Sequence, residues 1–248
     1  MKLDPASWFA QHRNVALQVS GGKDSTACLY LLRDYWDRVT VMWANTGAAM
    51  PETVELIAKI REMVPHFIEV KSDQPAQIAQ AGLPVDILPV RNCAIGRWIE
   101  PNKEARLQSY IECCATNIWA PMARAVTELG ATLVIRGQRN SEKRRAPIRS
   151  GYTADGVTVW FPIEDWTEAQ VWDYLKEQGV SIEHYAYTQT SLDCWSCTAY
   201  LDENVGKMRY LKERHPHLWE IQRANLETIR GLIASQLVDV ERALYAAA

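Results

Sequence analysis

Between Val15 and Val70 the chain alternates short apolar runs with longer amphipathic stretches. Val15 to Ser20 (VALQVS) is apolar and ends on a glycine pair, which predicts a buried strand followed by a sharp turn. A helix is expected from about Ser25 to Tyr35. Val39 to Ala44 predicts a second strand, closed by Asn45-Thr46-Gly47. Pro51 opens PETVELIAKIREM, with proline in the first turn and acids beside it, as a helix N-terminus favours. His66 to Val70 predicts a third strand. This β-α-β-α-β order argues for a parallel sheet. Thr132 to Arg136 and Val157 to Phe161 add a fourth and a fifth strand. The expected fold class is therefore α/β, a parallel five-stranded sheet flanked by helices with a C-terminal helical extension.

Elsewhere the pattern is less regular. Residues 72–102 hold Pro75, Pro84, Pro89 and Pro101, and read as a functional or linking loop with short elements. A long helix is expected over roughly Lys103 to Leu129, kinked or broken at Pro121. Thr167 with Gln170 forms a capping box for EAQVWDYLKEQ, which Gly179 ends. From Glu203 onward the chain reads as mostly helical, with an apolar stripe of Leu218, Ile221, Ile229, Leu232, Leu237, Val240 and Leu244. Packing onto its own domain is the plain expectation for that stripe; a seam between identical chains is the alternative. The boundaries expected are 1–200 for an α/β domain and 201–248 for the extension.

Composition narrows the class. The 248 residues are 48% hydrophobic and 23% charged, the balance of a folded globular protein. No apolar run approaches the ~20 residues of a membrane helix, and MKLDPASWFAQHRN lacks the apolar core of a secretory signal. A cytoplasmic protein without membrane contact is expected. The net charge of −3 argues against whole-surface attraction to nucleic acid, leaving a local basic patch as the route to such a partner. Six cysteines are too sparse for a disulfide scaffold, which makes metal or redox chemistry the first question about them.

Three segments carry candidate chemistry. Ser20-Gly21-Gly22-Lys23-Asp24-Ser25-Thr26 lies between a predicted strand and a predicted helix. The glycines allow a turn that presents backbone N–H groups, the helix adds its positive end, Lys23 adds a charge, and Ser20, Ser25 and Thr26 add hydroxyls. Together these suit a pyrophosphate. Asp24, an acid in an anion site, is explained by holding Mg2+ or by orienting the loop. The basic run RGQRNSEKRRAPIR carries Arg136, Arg139, Lys143, Arg144, Arg145 and Arg149 against one acid, Glu142, at the predicted carboxyl end of a strand, where α/β sheets bind ligands. Guanidinium groups match phosphate and sulfate. Tryptophans 160, 166, 172 and 195 read as core, with Trp43 a weaker choice for an adenine pocket. Finally, Cys113-Cys114 and Cys194-Trp195-Ser196-Cys197 supply four thiols in two pairs, a soft-metal pattern equally suited to zinc and to an iron–sulfur cluster. Cys28 reads as a small core residue; Cys93, between Arg91 and Arg97, is either structural or a reactive thiolate.

The chain resembles a known family on these residues. SGGKDS resembles the signature of the PP-loop ATP pyrophosphatases, of the adenine nucleotide α-hydrolase-like superfamily, which bind ATP, cleave between its α and β phosphates and pass AMP to an acceptor. WANTGAAMPETVELI (Trp43 to Ile57) and FPIEDWTEAQVWDYL (Phe161 to Leu175) resemble segments of the phosphoadenylylsulfate (PAPS) reductase family, with Asn45 in place of the usual Asp. The resemblance implies a Rossmann-like fold. It places Asn45, Thr46 and Gly137 with the phosphate loop as nucleotide contacts, and Arg136, Arg139 and Arg145 as anion ligands, Gly137, Arg139, Glu142 and Arg145 being similar to that family's GxRxxExxR segment. It implies Lys23, Asp24 and Arg139 as the catalytic set. The CC and CxxC pairs are similar to the 4Fe–4S pattern of adenylylsulfate (APS) reductases, which implies a cluster on Cys113, Cys114, Cys194 and Cys197. Two departures stand out: no cysteine follows Cys197, where reductases carry their nucleophile, and the loop is intact, as an ATP user needs. Both bring the chain closer in pattern to the ATP-pyrophosphatase subunit of DNA phosphorothioation systems. The leading expectation is an adenylating enzyme with ATP, Mg2+ and a 4Fe–4S cluster, acting in sulfur incorporation with a nucleic-acid acceptor and a sulfur-donor protein. Reduction of APS or PAPS by another thiol, sulfate adenylation, and a nucleotide- or redox-sensing subunit are the alternatives.

Overall fold

The structure, a computed structural model, describes residues 5–89, 92–98, 106–142, 145–188 and 191–246. Arg91, Pro101, Lys103, Lys143 and Arg144, named above, lie outside the described residues. The chain forms two compact units. One takes the residues up to Asn45, Ala49–Ser72 and Ile118–Tyr185; the other takes Thr46–Ala48, Asp73–Asn117 and the residues from Ala186 onward.

The first unit contains the main sheet: β1 (Val15–Val19), β2 (Val39–Asn45), β3 (Phe67–Lys71), β6 (Leu133–Ile135), β7 (Thr153–Ala154) and β8 (Val157–Trp160). Their order is β3-β2-β1-β6-β8-β7. The first five run parallel, with Val15 opposite Val39 on one side and Leu133 on the other. All five expected strands are present, but the sheet has six. The sixth, β7, pairs antiparallel with β8. Asp155 (φ 50°) and Gly156 (φ 78°) form the two-residue turn between them, the left-handed pair that Asp-Gly favours in hairpins.

Period-2 alternation in β1 serves both faces of the sheet. Val15, Leu17 and Val19 pack with Val41, Trp43, Leu133 and Ile135 in one core cluster. That cluster also takes in Trp8 and Phe9 of α1 (Pro5–Gln11), Ala27 to Leu29 of α2 (Lys23–Leu31), Ile57 and Ile60 of α3 (Pro51–Met63), and Val171 and Leu175 of α7 (Glu168–Glu177). Ala16, Met42 and Val134 face the other way, onto Met122, Ala125 and Val126 of α6 (Ala120–Glu128). Both faces are thereby covered, as a parallel sheet requires. The helix expected to Tyr35 stops at Leu31 and gives way to a 3-10 turn over Arg33–Arg38. The capping box of α7 forms as expected, Thr167 accepting from the Gln170 amide at 3.2 Å.

Among its described residues the second unit has a two-stranded parallel sheet, β4 (Leu83–Val85) with β5 (Leu107–Ser109), and the α-helices α4 (Gln74–Ala81), α5 (Tyr110–Cys114), α8 (Val205–Arg214) and α9 (Pro216–Tyr245). The single long helix expected to Leu129 is replaced by β5, α5, a wide π turn over Ala115–Trp119 and then α6. Pro121 has no amide to donate to the preceding turn, and the wide turn lies directly before it. Ser109 and Glu112 form a capping box that starts α5. Within the apolar stripe of α9, Leu218 and Ile229 are buried, and Ile229 and Leu232 pack against Val85 and Leu107. Ile221, Leu237, Val240 and Leu244 are exposed.

Gly82 ends α4 at φ 98°, ψ 172°, a region open to glycine alone. A Cβ there would lie 2.3 Å from the Arg106 carbonyl carbon. Gly156 has a positive φ but open space around it. Urea denaturation should therefore show Gly82→Ala costing about 3 kcal/mol or more and Gly156→Ala about 1 kcal/mol.

Candidate functional site

In the first unit, the carboxyl ends of the adjacent parallel strands β1 and β6 carry the phosphate loop and the basic segment. Strand order runs outward in opposite directions from this pair, which makes it the switch point where open α/β sheets bind ligands. Gly21 takes the left-handed turn at φ 81°, and a Cβ there would sit 3.0 Å from Thr53 Cγ2. The loop is wired internally. The Ser20 amide donates to Ser25 Oγ (3.1 Å), and the Gly22 amide to Ser20 Oγ (3.3 Å). Ser25 and Thr26 both donate their hydroxyl protons to the Gly22 carbonyl, at 3.1 and 2.9 Å. These hydroxyls thus shape the loop.

Lys23, in the first turn of α2, donates its amide to the Tyr185 hydroxyl at 3.3 Å. Its ammonium is folded back onto Asp24 Oδ2 (3.1 Å) and Glu168 Oε1 (3.5 Å), and lies 5.5 Å from the centre of the Tyr185 ring. Asp24 is shared: its Oδ1 accepts from Arg139 Nε at 2.6 Å. Arg139 is buried, and its amide and Nη1 are spent on Glu142 Oε1 (2.8 Å) and Ser141 Oγ (3.0 Å). Burial pushes the Glu142 carboxyl above its ordinary range, against the opposing pull of the Arg139 amide bond and the nearby cations. Asp24, engaged by two cations, has the geometry of a loop-orienting residue. Among the described residues no three His, Cys, Asp or Glu side chains gather around a metal-ion position. Side chains of Arg139, Asn140, Ser141 and of residues 164–168 line a cavity of about 390 Å³.

Gly137 acts by what it lacks. A Cβ on it would fall 2.4 Å from the Asp24 carbonyl carbon and 2.5 Å from the Ser25 nitrogen, so only glycine lets the end of β6 come this close to the loop. Arg136 and Arg145 are exposed. Asn45 donates to Glu69 Oε1 at 2.7 Å. Trp43 lies in the core cluster. Glu168 and Tyr185 escape sequence reasoning. Glu168 opens α7 next to the DWT segment that drew attention, whereas nothing in the local pattern marks Tyr185.

The second unit holds all four paired cysteines, none of them in a disulfide. Burial is the main cause that pushes their thiols up, Cys114 and Cys194 to about 12. Cys197 raises Cys113, Cys114 and Cys194 further, so the two pairs feel one another. Hydrogen-bonding groups surround the sulfurs. Gln74 Nε2 donates to Cys113 Sγ at 3.2 Å and is itself oriented by Ser196 Oγ, 2.8 Å from its Oε1. Asn117 Nδ2 reaches the same sulfur at 3.8 Å, and the Thr46 hydroxyl lies 3.3 Å from Cys194 Sγ. Thr46, expected with the nucleotide, is thus placed against a thiol. The carbonyls of the CWSC turn face α8 and α9: Lys207 Nζ reaches Cys194 O and Cys197 O, each at 3.4 Å, and Gln222 Nε2 donates to Trp195 O and, at 3.0 Å, to Cys197 O. The four thiols, with donors aimed at them and Lys207 beside them, match a soft thiolate centre in donor type, although no three of them converge on a metal-ion position. Cys93 is buried at 6% exposure, and Cys28 is fully buried with its thiol donating to the Arg136 carbonyl at 3.7 Å.

The Asp24–Arg139 contact is mostly withdrawn from water, so removing one partner leaves the other's charge stranded. Arg139→Met should cost about 3 kcal/mol in chemical denaturation. Asp24→Asn combined with Arg139→Met should cost clearly less than the sum of the single changes.

Comparison with known proteins gives the family. The model of the phosphoadenosine phosphosulfate reductase domain matches residues 14–200. The chain is 28% identical over 162 residues to adenosine 5'-phosphosulfate reductase of Burkholderia cepacia, covering 62% of this chain and 57% of that one. It is 25% identical over 179 residues to phosphoadenosine 5'-phosphosulfate reductase of Proteus mirabilis, covering 70% and 66%. The match therefore spans less than two thirds of these relatives' lengths. Among solved structures, the phosphate complex of PAPS reductase from Candida auris superposes with a TM-score of 0.52 at 18% identity, covering 73% of this chain and 81% of that one, which supports the α/β fold. With the family model spanning about three quarters of its length, the chain belongs to the phosphoadenosine phosphosulfate reductase domain family.

Proposed function

We propose that this chain binds ATP and cleaves it between the α and β phosphates, adenylating an acceptor and releasing pyrophosphate, as part of sulfur incorporation. The observation that carries the reading is the complete SGGKDS loop set at the switch point between β1 and β6, with Lys23 and Arg139 converging on Asp24. The positive end of α2 and the Lys23 ammonium are suited to charge building on the leaving pyrophosphate. An incoming phosphate displaces the Asp24 and Glu168 carboxylates from Lys23. Arg139 is positioned to hold the α-phosphate or the acceptor anion. The attacking acceptor oxygen forms a bond to the α-phosphorus as the bond to the bridging oxygen breaks, giving an adenylated acceptor and pyrophosphate. Sulfide-level sulfur from the donor then forms a bond to the acceptor phosphorus as the bond from that phosphorus to the AMP oxygen breaks, releasing AMP with no change of oxidation state. The triphosphate carries Mg2+ as its counter-ion, while Asp24 stays held by Arg139.

The acceptor in this reading is an oxygen of a nucleic-acid phosphate, with Arg136 and Arg145 exposed to meet its backbone, and a sulfur-donor protein is the partner. Cys113, Cys114, Cys194 and Cys197 are the ligands of a 4Fe–4S cluster, with Gln74, Asn117 and Thr46 donating to the sulfurs and so stabilising them as thiolates. A bound cluster supplies one-electron chemistry or a place to hold sulfur.

A second reading, reduction of APS or PAPS to sulfite, is favoured by the names of the similar reductases. Cys93 and Cys28 are both buried, so the attacking thiol in that case comes from a partner such as a thioredoxin-like protein.

Anaerobically purified protein, given MgATP and DNA, should form AMP and pyrophosphate in step. Lys23→Met should lower that rate by about a hundredfold or more. Absence of AMP and pyrophosphate with every nucleic-acid acceptor overturns the proposal, and sulfite formation from APS or PAPS with thioredoxin instead establishes the second reading.

A further inference from the structure

Lys207 lies on α8 and is fully buried, at 0% exposure. A lysine so placed needs an opposite charge, because an ammonium withdrawn from water without one is among the costliest groups a fold can hold. Among the described residues no carboxylate forms an ion pair with it. Its polar contacts are the carbonyls of Cys194 and Cys197, 3.4 Å from Nζ. Carbonyl dipoles solvate an ammonium but do not neutralise it. The ammonium sits against the backbone of the two cysteines of the CWSC turn. The position is specified from several sides. Gln222 Nε2 occupies Cys197 O alongside it, and Asn204, one turn earlier, donates to Ala199 O at 2.8 Å. The turn therefore offers its carbonyls to donors on α8 and α9.

We infer that Lys207 is the resident counter-charge of the metal centre formed by the two cysteine pairs, offsetting the net negative charge of a thiolate-ligated iron–sulfur cluster and setting its reduction potential. The inference rests on the cluster reading given above and adds a role for a residue that is not a ligand. Adding one electron makes the centre more negative, and a fixed positive charge nearby favours the reduced form. Loss of the charge therefore shifts the one-electron equilibrium toward the oxidised form.

The test compares the full chain, reconstituted anaerobically with iron and sulfide, as wild type and as Lys207→Arg, Lys207→Gln and Lys207→Met. Iron and sulfide per chain are measured first. The potential is then titrated with dithionite and mediators, following the visible absorbance and the electron paramagnetic resonance of the reduced state. Lys207→Arg should keep both iron and potential. Lys207→Gln, which keeps hydrogen-bond donors without the charge, and Lys207→Met should each move the equilibrium about tenfold toward the oxidised form, ~59 mV more negative. Cluster loss in the Gln and Met variants but not in Lys207→Arg also supports the inference. Iron-loaded Gln and Met variants at the wild-type potential overturn it, as does equal loss of iron in all three variants, which marks the site as one of packing alone. A wild-type chain that takes up zinc but no iron and sulfide overturns the cluster reading itself, a result distinct from either.

Discussion

Two cations compete for one carboxylate at the centre of the first unit. Asp24 is held by Arg139 from the end of β6 and by Lys23 from its own helix, at 2.6 and 3.1 Å. That shared contact ties the two middle strands of the sheet together at their ligand-binding ends. It works only because Gly137 removes a side chain where the backbone of the β6 end meets that of Asp24 and Ser25. The strand order, the glycine and the ion pair form a single device: topology brings the two loops together, the missing Cβ lets them touch, and the charge pair locks their register. The loop hydroxyls serve the same end, since they close back onto Gly22.

The second unit solves a different problem, the burial of sulfur. Its four thiols are pushed up chiefly by loss of water, so without an ion they are neutral at ordinary pH. Amide and hydroxyl donors aimed at sulfur favour the thiolate, which is the form that binds metal. The CWSC turn is held by its carbonyls, through Lys207 and Gln222. Cys113 and Cys114 close α5, and the wide turn follows directly after them.

Elements whose cause is local were legible in the sequence. The five parallel strands are apolar runs bounded by turn residues, and the α7 capping box and the SGGKDS loop are read directly. The sixth strand was legible too, through Asp155-Gly156, but its two residues are too short to form an apolar run. The start of α5 was marked by Ser109 and Glu112, yet β5 was hidden because Leu107 is extended only through pairing with the distant Leu83. Non-local pairing leaves no local periodicity. In the same way Lys207, within KMRYLKER, looks like a solvated helix charge, and Tyr185 looks like any core aromatic. Thr46, one residue from Asn45, belongs to the other compact unit, a division that spacing along the chain does not reveal.

The resting state of Lys23 also decides which ions can approach it. Its ammonium is satisfied by two carboxylates before any ligand arrives, so the loop presents little bare positive charge to the bulk. A ligand with several charges on neighbouring oxygens gains enough to part that arrangement. Under the proposed function, the two carboxylates on Lys23 thus favour a ligand of several charges over one of a single charge.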